Sequence, residues 1–235
     1  MSLGRWEKES LDRPIASAGQ LLVEGRVPEM FFREMVAAYG VAGQVEVRTF
    51  GDVSKDTLQT YLGLFCQKAA FRERVQRLGI IRDAEAKSAS DALASVRSAI
   101  EGFNGENPSY ALPVPSHLGV ATGSQEVSPQ VSVFVLPDCS RAGMLETLCL
   151  EAVAETELAS STPVLPCVDE FFACLRRQGR RPNNDFKARM AGYLLAADVM
   201  DPQLGRAAQA SGVIPWDAKA FQPLRAFIRG IAGAA

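Results

Sequence analysis

The feature that most restricts this chain is a rhythm of short apolar runs, each followed by a stretch whose apolar residues recur every three or four positions. Leu21-Leu22-Val23 closes on Glu24-Gly25. Val45, Val47 and Thr49-Phe50 alternate with polar residues up to Gly51-Asp52. Leu78 to Ile81 runs into Arg82-Asp83-Ala84-Glu85, and the strongest run, Val131 to Leu136, ends at Pro137-Asp138. Runs of that length bounded by turn residues read as buried strands. Between them lie helical stripes. Pro28 suits a first turn, and Phe31, Phe32, Met35, Val36 and Tyr39 form one face, stopped by Gly40 and Gly43. Leu58, Tyr61, Leu62, Phe65 and Ala69 form a second, with Ser54 as its N-cap and Asp56 in its first turn. Ser88 and Asp91 cap a third that carries Leu93, Val96, Ile100 and Phe103, and a fourth runs from Gly143 through Leu145, Leu148, Cys149 and Ala152. Strands alternating with helices require crossover connections and a parallel sheet. The expected class is therefore α/β: a Rossmann-like, mainly parallel sheet flanked by helices.

The rhythm does not fill the chain. Residues 1–19 are polar and aperiodic and read as a loose arm, and residues 20–158 as the α/β core. The Gly-, Pro- and Ser-rich stretch 104–129 is long for a bare loop, so a short strand or hairpin is expected inside it. From 159 to 235 only helical patterns appear: Phe171, Phe172 and Leu175; Phe186, Met190, Tyr193, Leu194 and Ala197; and Leu224, Phe227 and Ile228 behind Pro223. They read as a helical extension packed on the core.

Composition narrows the chemistry. The 25 basic and 27 acidic residues of the 235 nearly cancel, so any nucleic-acid contact must come from a local patch. Five cysteines, an odd number with no C-x-x-C pair, suit a reducing compartment. Charges occupy the start of the chain where a signal peptide needs an apolar stretch, and no apolar run approaches the ~18–20 residues of a membrane span. A cytoplasmic protein without membrane contact is expected. The single histidine, His117, excludes multi-histidine zinc sites, and no G-x-x-x-x-G-K-[ST] is present for an ATPase.

What remains is carboxylate chemistry. Glu24 follows the first strand, Asp83 and Glu85 the third, and Asp138 the fourth. Open α/β sheets bind ligands outside the carboxyl ends of their strands, so these acids are expected to converge. Converging carboxylates repel unless a hard cation offsets them, and oxygen ligands without histidine or thiolate suit Mg²⁺ or Mn²⁺. Such an ion polarises a phosphoryl oxygen and helps to form a hydroxide nucleophile. For each acid alone the competing reading is a solvated strand end or a helix cap. Glu146 reads as the first-turn acid of its own helix. Arg176, Arg177, Arg180 and Arg181 cluster as a phosphate or nucleic-acid contact, or else as a solvated helix C-terminus. Arg72, Arg74 and Arg77, with Glu73 among them, read as ordinary surface.

The segment Leu21 to Gly25, followed by a helix, a second strand and then Gly79-Ile80-Ile81-Arg82-Asp83-Ala84-Glu85, resembles a Toprim domain. This is the α/β module of topoisomerases, bacterial primases and overcoming-lysogenization-defect nucleases. Its mark is a glutamate after the first strand and a D-x-D after the third. Pro137-Asp138, Gly143-Met144-Leu145-Glu146 and Lys187-Ala188-Arg189 are similar to a Toprim-related family of single-domain proteins whose function is not established. The resemblance implies Glu24 as general acid or base, with Asp83 and Glu85 holding Mg²⁺ (or Mn²⁺) and Asp138 as an auxiliary ligand. By analogy with the nucleases, Lys187 would assist phosphate chemistry. Glu85 stands where the pattern has its second aspartate, and Arg26-Val27-Pro28 where related sequences carry acids. The implied activity is metal-dependent phosphodiester chemistry, that of a nuclease or related nucleotidyl hydrolase acting on DNA or RNA, with any ATPase motor on a separate chain. The alternative is a non-catalytic binding module of the same fold, for nucleic acid or protein.

Overall fold

The computed structural model describes residues 4–51, 55–124, 129–158 and 160–234, and the side chains of all of these except 55 and 56. Ser54 and the side chain of Asp56 lie outside the described residues.

Four parallel strands form one sheet: β1 (Gly19–Val23), β2 (Val45–Thr49), β3 (Arg77–Asp83) and β4 (Gln130–Leu136), in the order β2-β1-β3-β4. Val23 lies beside Thr49 on one flank and Ile81 on the other, and Asp83 beside Leu136, so all four carboxyl ends emerge together. The chain steps from β1 outward to β2, then returns across β1 to lay β3 on its other side. The switch point is therefore between β1 and β3.

Alternate strand residues face opposite layers, as the two-residue period dictates. Leu21, Val23, Val45, Val47, Ile81, Phe134 and Leu136 join one buried cluster with Phe31, Phe32 and Met35 of α2 (Arg26–Ala38) and Leu148 and Cys149 of α3 (Leu145–Glu157). The same cluster takes in Met190 and Leu194 of α4 (Asp185–Ala196) and Leu224, Phe227, Ile228 and Ile231 of α5 (Gln222–Ala232), so the C-terminal helices cover this face of the sheet. Leu22, Leu78, Ile80, Val131, Val133 and Val135 face the other layer, with Leu58, Leu62 and Phe65 of α6 (Lys55–Cys66) and Val96, Ile100 and Phe103 of α7 (Ala89–Glu106). Burial on both faces explains why strands β1 and β4 read as nearly continuous apolar runs. The Ser88–Asp91 capping box opens α7 as expected.

Two segments correct the sequence reading. Residues 4–19 are not a loose arm: Arg5–Asp12 forms a helix, α1, with Ser10 and Leu11 buried. Its anchor is Arg48, a fully buried side chain on β2. The Arg48 guanidinium donates to Gln20 Oε1 (2.7 Å), the Ser10 carbonyl (2.6 Å), the Pro14 carbonyl (2.6 Å) and Glu46 Oε2 (2.7 Å). Arg13 adds a bond to the Val47 carbonyl (3.1 Å), and the Ser10 hydroxyl accepts from the Thr49 amide (3.1 Å), so backbone groups on the outer side of β2 find partners. Among its described residues, the stretch 104–129 supplies a 3₁₀ turn at Pro108–Tyr110 and, in place of a hairpin, one antiparallel bridge of Thr122 to Val131. Gly119 also donates to the Val133 carbonyl (2.8 Å), so this loop runs along the outer side of β4.

Arg72, Arg74 and Arg77 are partly structural. Arg72 lies over the Tyr110 ring, Arg74 donates to the Ile15 carbonyl and Arg77 to that of Ile231. No helix among the described residues is long and apolar enough to cross a membrane.

Candidate functional site

A cavity of about 570 Å³ opens at the carboxyl ends of β1 and β3, at the switch point. Glu24, Asp83, Glu85 and Lys187 all line it, together with Glu7, Arg26 and Glu146. Five carboxylates thus face one arginine and one lysine.

Each side chain is positioned by a local device. Glu24 leaves the end of β1 and is gripped by Arg82 of β3, whose Nε and Nη2 donate to its two oxygens at 2.9 and 3.3 Å. Arg82 is itself oriented by Ser95 of α7 (2.9 Å). Gly25 follows with φ 91°, a left-handed angle that glycine accepts without strain, and its amide donates to Thr49 Oγ1. That turn starts α2 at the cavity wall.

Asp83 ends β3 half-buried and accepts from the Leu145 amide (3.0 Å), so it caps α3 from a neighbouring strand. Burial and the nearby Glu146 carboxyl raise its pKa to about 7, with Glu24 adding to the rise; the Leu145 amide and Lys187 oppose it. Glu146, in the first turn of α3, is also raised, chiefly by burial, and Lys187 again opposes. Glu85 is exposed and holds φ 54°, while its backbone exchanges bonds of 2.7 and 2.9 Å with Gly143. A left-handed glutamate is strained, and here the bridge to Gly143 holds it. Lys187 sits in the first turn of α4, its amide capped by Asn184 (2.9 Å), and Asn184 reaches back to Met144 at the start of α3.

One expectation is corrected. Asp138 does not join the other acids: it is bound by Arg141 (2.7 Å) and Ser140 (2.7 Å), and it lines a different cavity beside Cys139 and Phe227. The tight Pro137-Asp138 turn favours that local pairing, which holds its carboxyl below the usual range. The arginine cluster is also elsewhere. Arg176 lines a shallow groove with Asp169, Asp185 and Arg189, and Arg177, Arg180 and Arg181 are exposed outside the acid cavity. His117 is exposed and bonded to Ser116. Glu146, by contrast, is a cavity residue that its first-turn position had disguised. Trp6 and Glu7 reach the same cavity from α1, whose only apolar residues are Trp6 and Leu11, too few for a stripe to announce it.

Among the described residues no three His, Cys, Asp or Glu side chains are grouped closely enough to cage an ion alone. Mg²⁺ seldom needs such a cage. It keeps several waters and takes one or two carboxylates together with substrate phosphates. Asp83 and Glu146 suit that role, because each resists ionisation in its surroundings and a cation would relieve both. Lys187 and the N-termini of α2 and α3 supply positive potential on the same cavity.

Fold and cavity together define a doubly wound α/β protein with an acid-lined site at its switch point. The chain belongs to the family described as protein of unknown function (DUF3226), which it matches over residues 18–232. No curated protein and no solved structure matches it.

Proposed function

We propose that this protein is a Toprim-type, Mg²⁺- or Mn²⁺-dependent phosphodiester-acting enzyme, a nuclease or related nucleotidyl hydrolase. The observation that carries the reading is the meeting of Glu24, Asp83, Glu85 and Lys187, residues distant in sequence, in one cavity at the switch point. Asp83 and Glu146 would hold the ion, with Glu85 contributing from the rim through water. Bound there, the ion would polarise the phosphoryl oxygens and lower the pKa of water. Glu24, oriented by Arg82, is aimed to accept a proton from the attacking water. Lys187 and the two helix N-termini would bind the anionic phosphate.

The ion pair of Glu24 with Arg82 favours a second reading, a binding module in which that glutamate is structural. Calorimetric titration of Mn²⁺ and Mg²⁺ into wild type, Asp83→Asn and Glu24→Gln separates the two. The enzyme reading expects stoichiometric metal binding that Asp83→Asn abolishes. It also expects Glu24→Gln to retain metal and oligonucleotide affinity while losing turnover by about 10²-fold or more. No metal binding, even with an oligonucleotide added, would leave only the module.

A further inference from the structure

Trp6 is an aromatic surface on the cavity wall that the proposed chemistry leaves unused. It is supplied by α1, N-terminal to the segment that matches the family, and 42% of it is exposed. The chain's other tryptophan, Trp216, packs against Phe31 and Phe221. The position of Trp6 is fixed by the fold, because Arg48 grips the Ser10 carbonyl in the last turn of the same helix and the Pro14 carbonyl just beyond it. Two guanidiniums flank its ring: the central carbons of Arg5 and Arg26 lie 4.9 and 5.1 Å from the centroid. Arg26 is anchored to the buried Glu29 (2.8 Å), whereas Arg5 pairs with Glu9 (2.9 Å) on the surface, where water competes for the pair, and its side chain is 77% exposed.

We propose that the Trp6 indole is a stacking platform for a nucleobase, and that the substrate class is single-stranded nucleic acid. This rests on the phosphodiester reading of the same cavity. A strand whose phosphate lies at Asp83 and Glu146 extends along the wall of the same cavity toward Trp6, where one of its bases stacks on the indole. The exposed Arg5 gives up its place over the ring and turns to a flanking phosphate, while Arg26 stays. In a duplex that base is already stacked on its neighbours and is not free to do so. Every base has a π-face, so the preference is for single strands rather than for a sequence.

The test uses the full chain carrying Trp216→Phe, which leaves Trp6 as the sole tryptophan reporter. A short phosphorothioate oligothymidylate and an abasic strand of equal length are titrated in Mg²⁺, following tryptophan fluorescence and the anisotropy of a label on the strand. Both strands are expected to bind, and only the thymidylate to quench. Trp6→Ala should weaken thymidylate binding about tenfold or more and leave the abasic strand unchanged, whereas Trp6→Phe should recover most of the loss. Equal thymidylate affinity for Trp6→Ala and its parent would overturn the stacking platform and leave the phosphodiester reading standing. Failure of both strands to bind the parent would overturn the two together.

Discussion

Asp83 carries the sharpest conflict between stability and the proposed chemistry. A free aspartate titrates near ~3.9, whereas burial and the neighbouring Glu146 push this half-buried one up to about 7. Between those values the folded chain holds a proton that the unfolded chain has released. The stability owed to this group is therefore complete below about pH 4 and is lost as pH rises through 7. Asparagine keeps the shape and has no charge to bury. Asp83→Asn is thus expected to unfold at higher urea than wild type at pH 8, by on the order of 2 kcal/mol after allowing for partial solvent access, with the gap closing toward pH 4. The same variant should lose metal binding. Equal urea midpoints at pH 8 would mean that burial does not disfavour the charged carboxylate.

Among the elements, the helices that open on the cavity are tied to one another through their first turns. Asn184 caps α4 at the Lys187 amide and touches Met144, which precedes α3, so a single amide side chain aligns the lysine with the Asp83–Glu146 corner. Asn184→Ala is expected to cost about 1 kcal/mol in urea unfolding and to weaken oligonucleotide binding more than metal binding. If both affinities stayed at wild-type values, the cap would have no part in placing Lys187. The strands and long helices were legible because their burial follows strict periods: two in Val131–Leu136, three to four in Phe31–Tyr39. Glu24, Asp83 and Glu85 were legible because strand ends in such a sheet converge. Helix α1 was not, since its attachment depends on a buried arginine thirty-six residues beyond its end rather than on an apolar stripe. Glu146 was hidden because an acid in a first turn already has a sufficient local reason to be there. Asp138 misled for the opposite reason: its strand-end position was right, but Arg141, three residues on, captured it first.

For the whole molecule, Arg48 is the joint on which the N-terminal helix, the outer strand and Gln20 of the central strand all depend. Arg48→Met removes the buried guanidinium from its pair with Glu46, which keeps its bonds from Ala16, Ser17 and Gln20, and leaves the Ser10, Arg13 and Pro14 carbonyls without this donor. It is expected to cost about 3 kcal/mol, read as a lowered urea midpoint. A loss below about 1 kcal/mol would show that water replaces the guanidinium at little cost. The wider consequence concerns what the sheet presents to its neighbours. A four-stranded sheet has two open borders, each a row of hydrogen-bonding groups able to template a foreign strand. Here Arg13 and Ser10 occupy one border and the loop from Gly119 to Thr122 occupies the other. Loosening the first of these by Arg48→Met should therefore do more than destabilise. It should also promote self-association edge to edge, so that the variant's light scattering rises with protein concentration well below the unfolding midpoint and exceeds that of wild type.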